Sequence, residues 1–171
     1  MTVEEVNILA GQLLIVTGLP GAGKSWLIDN RLRQRVTGLC IHDFHGNSVN
    51  NSSAVKKSRH YAALVEALRA GHDCVVADIE FCRSSRRDAV IETLRIEFLC
   101  LAVEFHCFRN QPDRCIKNVV ARHRDSVDEE LRKVRQLSQE YVLPTGAIEY
   151  DVWTNDLPSS SGALGSEQSR R

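Results

Sequence analysis

A glycine-rich segment that separates two contrasting patterns constrains this chain more than any other feature. Residues 12–17 (QLLIVT) form a short apolar run that ends at Gly18, which is typical of a strand buried on both faces. From residue 24 to residue 36 apolar and polar side chains alternate with helical spacing. We therefore expect a buried strand, a glycine loop and a helix that opens directly from the loop.

The same alternation of strand and helix patterns continues along the chain. Four more strands are predicted, at residues 39–44, 73–79, 102–108 and 148–153. Four more helices are predicted. One covers residues 57–70, and the next begins at a cap formed by Ser84 or Ser85. The third begins at a cap formed by Asn110, with Pro112 in its first turn, and the fourth runs from a Ser126/Glu129 capping box to about Tyr141. This alternation predicts the α/β class, with a parallel sheet covered on both faces.

Composition places the chain among ordinary globular domains. With 171 residues, 43% hydrophobic and 26% charged, it suits one domain, expected at 1–157, followed by a disordered Ser/Gly-rich tail at 158–171. The 22 basic and 22 acidic residues give no net field that would gather nucleic acid or an anionic membrane. No apolar run approaches the ~20 residues of a membrane span and no secretory signal is evident, so we expect a cytoplasmic protein.

The cysteines and histidines give little sign of a metal centre. The six cysteines form no CxxC pair and mostly lie in apolar runs, which favours buried reduced thiols over a zinc site or a disulfide framework. The histidines lack metal-ligand spacing. His42 and His45 flank Asp43 and are candidates for touching a substrate, although packed or surface histidines are the more ordinary interpretation.

The glycine-rich segment has every fixed position of the Walker A pattern, and it follows a strand and precedes a helix as that pattern requires. Its glycines allow successive backbone N–H groups to surround phosphate, Lys24 would reach the β- and γ-phosphates, and the Ser25 hydroxyl would bind Mg²⁺. We expect ATP or GTP with Mg²⁺ as the ligand. For Trp26, which follows Ser25 on the predicted helix, we expect packing in the core rather than stacking against a ligand. The predicted binding segment comprises Gly18, Leu19, Pro20, Gly21, Ala22, Gly23, Lys24, Ser25 and Trp26.

Acidic residues follow two other predicted strands, at the sheet edge where open parallel sheets bind ligands. Asp78 ends the run CVVAD and suits an acid that holds the Mg²⁺ shell, with a turn or helix cap as the alternative. Asp43 closes the second strand and could accept a proton from an acceptor hydroxyl, unless it only forms a turn. Glu80, two residues beyond Asp78, could instead polarise a water for hydrolysis, unless it is an ordinary exposed loop residue.

Several basic residues could stabilise transferring phosphate, although any one of them is more often part of a solvated surface. Trp153, near the end of the last predicted strand, is a candidate for lining a base pocket. The basic candidates are Arg83, Arg86, Arg87, Arg109, Arg114, Lys117, Arg122 and Arg124.

Four segments together resemble the small P-loop kinases, a group that includes adenylate-kinase-like, gluconate-kinase-like, polynucleotide-kinase-like and zeta-toxin-like proteins. The resemblance extends from residue 12 to about 155. It implies a three-layer P-loop NTPase fold with the strand order 2-3-1-4-5, a short helical lid at about 110–128, and phosphoryl transfer from ATP to a hydroxyl or phosphate. The segments are LIVTGLPGAGKSWL, HDF, VVADIEFCRSSRR and CFRNQPDRCIKNVVARHR.

By position, the resemblance implies roles for single residues. Lys24 and Ser25 match the phosphate and metal ligands, and Asp43 matches the acid on the substrate side. Asp78 matches the acid after the third strand, and Arg122 matches the lid arginine, with Arg124 as the alternative. The sequence departs from the pattern at Lys117, where related sequences often carry an arginine, and after Asp43, where no acceptor signature is recognisable.

Two functions follow as hypotheses. The first is a small kinase in which Lys24, Asp43, Asp78 and Arg122 are catalytic and the acceptor is unidentified. A nucleic-acid 5′ end is one conceivable acceptor that the net charge does not support. The second is a nucleotide-gated ATPase or binding module, favoured by Glu80 and the polar loop 46–53, although no guanine-selecting Asn-Lys-x-Asp occurs. A degenerate fold retained for structure is a third possibility.

Overall fold

Five parallel strands form the central sheet of the protein, seen in a computed structural model that describes residues 10–45, 54–122 and 125–154. Their order across the sheet is β2-β3-β1-β4-β5, and all four pairings are parallel. The predicted α/β class with a five-stranded parallel sheet is confirmed. The predicted tail at 158–171 lies outside the described residues. The strands are β1 (Leu13–Thr17), β2 (Cys40–Ile41), β3 (Cys74–Ala77), β4 (Val103–Phe108) and β5 (Ile148–Tyr150).

The helices lie between these strands in the chain, as the sequence predicts, but several boundaries differ. Their bounds are α1 (Lys24–Leu27, continuing as a π-helical turn over Ile28–Leu32), α2 (Ala54–Lys57), α3 (Tyr61–Arg69), α4 (Ser84–Glu97), α5 (Pro112–Ala121) and α6 (Val127–Glu140). A 3₁₀ turn, Ile79–Cys82, follows β3. None of these helices has both the length and the apolar character required to cross a bilayer.

The predicted helix at 57–70 is interrupted because Ser58 bonds elsewhere. Its hydroxyl donates to the carbonyl of Phe44 at 2.5 Å, and the Tyr61 N–H bonds to the Ser58 carbonyl, so the chain turns before α3 begins. Serine side chains compete with helical hydrogen bonds in this way. The same bond attaches the start of α3 to the segment that follows β2.

The predicted helix caps are the weakest part of the sequence interpretation. The N-cap of α5 is Gln111 rather than Asn110, whose amide instead donates to the Ser138 carbonyl at 2.8 Å. Ser126 does precede α6, but its hydroxyl donates to the Glu130 side chain and makes no capping bond to a backbone N–H. Arg83 is the N-cap of α4, so Ser84 is its first helical residue. Caps depend on side-chain rotamers that spacing alone does not determine.

Two hydrophobic layers hold the sheet, one on each face. Leu14 and Val16 face the layer that includes residues of α1, α5 and α6, whereas Leu13 and Ile15 face the layer formed with α3 and α4. All five residues of β1 are buried, and β1 pairs with β3 on one side and β4 on the other. The glycine-rich loop therefore starts from the most constrained strand of the sheet.

The cysteines fit the predicted buried thiols only in part. Cys74, Cys82, Cys107 and Cys115 are buried, but Cys40 is half-buried and Cys100 is exposed. Burial raises the pKa of Cys82 to about 11 and that of Cys115 to about 12, so both are neutral thiols at ordinary pH. They behave as small apolar side chains beneath the glycine loop.

Candidate functional site

The loop after β1 has a conformation that needs glycine. Gly21 and Gly23 have φ angles of +83° and +107°, in the left-handed region that L side chains rarely adopt. A Cβ atom on Gly21 would lie 2.6 Å from the Cys115 carbonyl oxygen, because α5 packs directly on the loop tip. The Ala22 N–H bonds to the Leu19 carbonyl at 3.0 Å, which closes the turn.

Lys24 lies inside the curve of this loop. Its ammonium donates to the carbonyls of Gly18 at 2.7 Å and Leu19 at 3.0 Å. Burial lowers the pKa of Lys24, and nearby groups that include the Asp78 carboxylate offset the lowering only in part. An ammonium has three N–H donors, so two bonds to the loop leave one for a further acceptor. Ser25, the next residue, is exposed.

Asp78 follows β3 directly, and two backbone N–H groups bond to its carboxylate. Its carboxylate accepts the backbone N–H groups of His45 at 2.7 Å and Glu80 at 2.8 Å, and His45 Nδ1 lies 3.1 Å away. Burial alone would raise the pKa of Asp78, but the hydrogen bonds outweigh it and hold the pKa below its usual value. Asp78 therefore acts as the cap of the 3₁₀ turn, as the simpler interpretation expected, and stays ionised at the edge of the sheet.

We expect Asp78→Asn to destabilise the protein in a pH-dependent way. At neutral pH the loss should be about 1–3 kcal/mol, since each carboxylate oxygen accepts one backbone N–H and an amide offers only one acceptor oxygen. A lowered folded-state pKa stabilises the protein above the unfolded pKa of ~3.9, and this contribution disappears as pH falls through the folded-state value. Urea unfolding at several pH values should show the difference from wild type shrinking in acid. A pH-independent difference would contradict it.

Asp43 lies near Asp78 at the same edge of the sheet. The Phe44 N–H bonds to the Ala77 carbonyl at 3.0 Å, so the segment after β2 runs beside the end of β3. Asp43 is exposed, as are His42 and its partner Asp29, 3.3 Å apart. His45 is buried against the rings of Phe44 and Phe81, which agrees with the expectation of a packed histidine. The polar loop 46–53 lies outside the described residues.

Glu80 and two of the basic residues after it, Arg83 and Arg87, form structural contacts. The Arg83 guanidinium pairs with Glu80 and, at 2.6 Å, with Glu140 of α6. Arg87 is 2% exposed and donates to the carbonyls of Phe81, Cys82 and Val142. Arg87 thus belongs to the core, where three carbonyls require a donor, and is not available for phosphate contacts. Its inclusion among the basic candidates was wrong.

A cavity of about 860 Å³ opens beside the loop tip. Its wall includes Gly21, Trp26, Trp153 and two basic residues of the α5 region, Lys117 and Arg122. Trp153 thus lines this cavity, and its contact with a base stays a prediction. The expectation that Trp26 belongs to the core is wrong, because its side chain is 54% exposed and its ring stacks with that of Trp153.

The remaining basic candidates have other positions. Arg109 binds Glu149 and Asp151, and Arg114 donates to the Val152 carbonyl at 3.0 Å. Arg124 lies outside the described residues, so of the predicted lid only 110–122 and 125–128 can be described. Lys117 and Arg122 are the basic candidates that the structure brings to the cavity.

Asn118 is a site residue that the sequence did not single out. Its amide nitrogen donates both to the Gly21 carbonyl at 2.9 Å and to the Trp153 carbonyl at 2.7 Å. One side chain of α5 therefore joins the loop tip to the segment after β5. The available signal was its spacing: it follows Cys115 by three residues, on the helix face that carries the apolar stripe.

Comparison of the sequence with known proteins identifies no relative. The chain matches no protein-family model, and no curated protein matches it, so the geometry of the site has to indicate the function.

Proposed function

We propose that this protein is a small P-loop kinase that transfers the γ-phosphate of ATP to a hydroxyl or phosphate of an unidentified acceptor. The observation that carries the proposal is the glycine loop, with Gly21 and Gly23 in left-handed conformations, Lys24 inside its curve and a large cavity at its tip. Such a loop exposes backbone N–H groups to an anion. The cavity volume of about 860 Å³ falls in the range of small-molecule and cofactor sites.

The residues around the loop fit a magnesium-bound triphosphate. Ser25 offers an exposed hydroxyl and Asp78 an ionised carboxylate, and hard oxygen ligands of this kind suit Mg²⁺. Bound Mg²⁺ would neutralise charge on the β- and γ-phosphates. Lys24 would bind the same phosphates through the third N–H of its ammonium group, since the other two bond to the loop carbonyls. Ser25 and Asp78 would keep the phosphates oriented. Asp78 would do so while its carboxylate still accepts the backbone N–H of His45.

Residues at the end of α5 and along it would stabilise the negative charge of the phosphates from the cavity side. Arg122 ends this helix and Lys117 lies on it, and both line the cavity beside Gly21. A cation there would stabilise negative charge as the phosphoryl group moves. The resemblance to P-loop kinases, including the strand order and a short lid, agrees with this assignment of α5 and Arg122.

Transfer is favoured over hydrolysis by the two acids. Glu80, the candidate for polarising water, is paired with Arg83, which in turn binds Glu140. Asp43 is exposed at the neighbouring strand end, and we assign to its carboxylate the role of accepting a proton from an acceptor hydroxyl. The proposal therefore assigns Asp43 as the base and Glu80 as a structural residue.

The test combines labelled ATP with two matched amide variants. The protein is incubated with γ-labelled ATP and pools of nucleosides, sugars and 5′-hydroxyl oligonucleotides, and label is followed on the acceptor and as free phosphate. We expect Asp43→Asn to lower transfer about a hundredfold, the contribution typical of a general base. Glu80→Gln should leave transfer almost unchanged.

The opposite pattern would indicate a different function. Label that appears only as free phosphate with every pool, together with loss of turnover in Glu80→Gln alone, would favour a nucleotide-gated ATPase. No turnover and no ATP binding would contradict both functions.

A further inference from the structure

The wall of the cavity carries an unusual pair of aromatic rings. The indoles of Trp26 and Trp153 are stacked, with ring centroids 6.4 Å apart and planes inclined by 28°. They are the only two tryptophans in the chain, and both line the cavity at the loop tip. Their side chains are 54% and 74% exposed, so neither is used to fill the core.

The pair is placed there by specific contacts. Trp26 is on α1, directly after the loop, and the Arg31 guanidinium carbon lies 5.9 Å from the centroid of its ring. The Trp153 carbonyl accepts a hydrogen bond from Asn118, which also binds the Gly21 carbonyl. The backbone of Trp153 is thus joined through Asn118 to the loop that directly precedes Trp26. Two large apolar surfaces exposed to water beside a polar phosphate loop have little structural purpose of their own.

We propose that Trp26 and Trp153 form a clamp that takes the purine base of the nucleoside triphosphate between their rings; this rests on the proposed function. Carbon atoms in contact are about 3.5–4 Å apart, so a base between two rings needs a separation of about 7–8 Å. The present 6.4 Å is short of that by on the order of 1 Å. Rotation of the exposed Trp153 side chain supplies the difference while its carbonyl stays on Asn118.

The clamp predicts a nucleotide preference. Stacking uses the face of a base and does not read its edge, so it tolerates different bases. A purine covers more of two indoles than a pyrimidine does. ATP and GTP should therefore bind with similar affinity, and CTP and UTP about tenfold more weakly, since the loss of stacking area reduces a contribution of this size.

The experiment separates the base from the phosphates by using inorganic tripolyphosphate with Mg²⁺ as a second probe. Calorimetric titration of wild type, Trp153→Ala and Trp26→Ala with ATP should show Kd values raised about tenfold or more in each variant. The Kd for tripolyphosphate should not change. Val142→Ala, a truncation of an exposed side chain outside the cavity, is the control, and circular dichroism checks that each variant folds.

Intrinsic fluorescence gives an independent readout. Trp26→Phe and Trp153→Phe each leave a single reporter at the cavity, and the ring they introduce can still stack. We expect ATP and GTP to change the emission of both single-tryptophan proteins, whereas tripolyphosphate changes neither.

The results distinguish failure of the tryptophan clamp from failure of the proposed function. If tripolyphosphate binds wild type as tightly as ATP, or if only one tryptophan affects ATP affinity, the clamp is wrong and the proposed function stands. If neither probe binds wild type, the proposed function fails and the clamp fails with it. Equal loss of both probes in Trp153→Ala would also reject the clamp, since the residue would then act on the loop.

Discussion

Replacing Lys24 with methionine should lower phosphoryl transfer about a thousandfold and leave the protein folded. Removing a single charged or polar group that stabilises transition-state charge typically costs a factor of this size. Lys24 is bonded to the loop, with Nζ 2.7 Å from the Gly18 carbonyl oxygen. Methionine matches the length of the lysine stem and removes only the ammonium. The measurement is transfer from γ-labelled ATP, with thermal unfolding as the folding check.

The structure also predicts why Lys24→Met is tolerated. Burial opposes the charged form of Lys24, as its lowered pKa shows, so the neutral side chain avoids a desolvation penalty while two loop carbonyls lose a donor. These effects oppose each other, and we expect the melting temperature to change by only a few degrees. Lys133→Met, which removes a surface lysine paired with Glu129, is the matched control and should keep full activity. Wild-type turnover in Lys24→Met would contradict the assigned site.

Gly21→Ala should abolish ATP binding and destabilise the protein by roughly 3 kcal/mol. Part of this follows from the φ angle of +83°, which costs an L residue about 1–2 kcal/mol. The rest follows from the 2.6 Å approach of the new Cβ to the Cys115 carbonyl, a backbone atom that can move only if α5 moves. A displaced α5 would also shift Asn118 and Arg122. Urea unfolding and calorimetric titration with ATP measure the two effects.

Gly146→Ala isolates the backbone part of that cost. Gly146 has a similar φ of +76°, but nothing lies within 4 Å of a Cβ placed there. It should therefore lose only about 1 kcal/mol and keep its ATP affinity. Equal losses in the two variants would mean that the packing of α5 against the loop tip contributes nothing.

The fold could be predicted from the sequence because its signals are local. The run at 12–17 and the glycines after it indicate strand and loop without knowledge of any partner, and β1 indeed occupies Leu13–Thr17. The break at Ser58 and the cap at Gln111 could not be predicted in this way. Each depends on a carbonyl or backbone geometry supplied by a distant segment, such as the Phe44 carbonyl that holds Ser58.

The site was predictable to the same extent. Lys24 and Asp78 could be proposed as site residues because a motif or a strand end locates them. The role of Arg87 was misread because its three carbonyl partners come from two segments, one of them after α6. Trp26 was misread because an apolar residue on a helix usually packs inward, and the exposed stacking partner Trp153 is far away in the chain. Asn118 was missed for the same reason, since its two acceptors become visible only in three dimensions.

The double hydrogen bond of Asn118 has a consequence for local unfolding. The amide joins carbonyl oxygens 97 residues before it and 35 residues after it. Opening of either segment breaks one of the two hydrogen bonds to this amide and leaves the other in place. The opening of residues near 21 and near 153 should therefore be coupled through Asn118. A displacement at residue 153 would therefore reach the glycine loop through Asn118 without passing through the sheet.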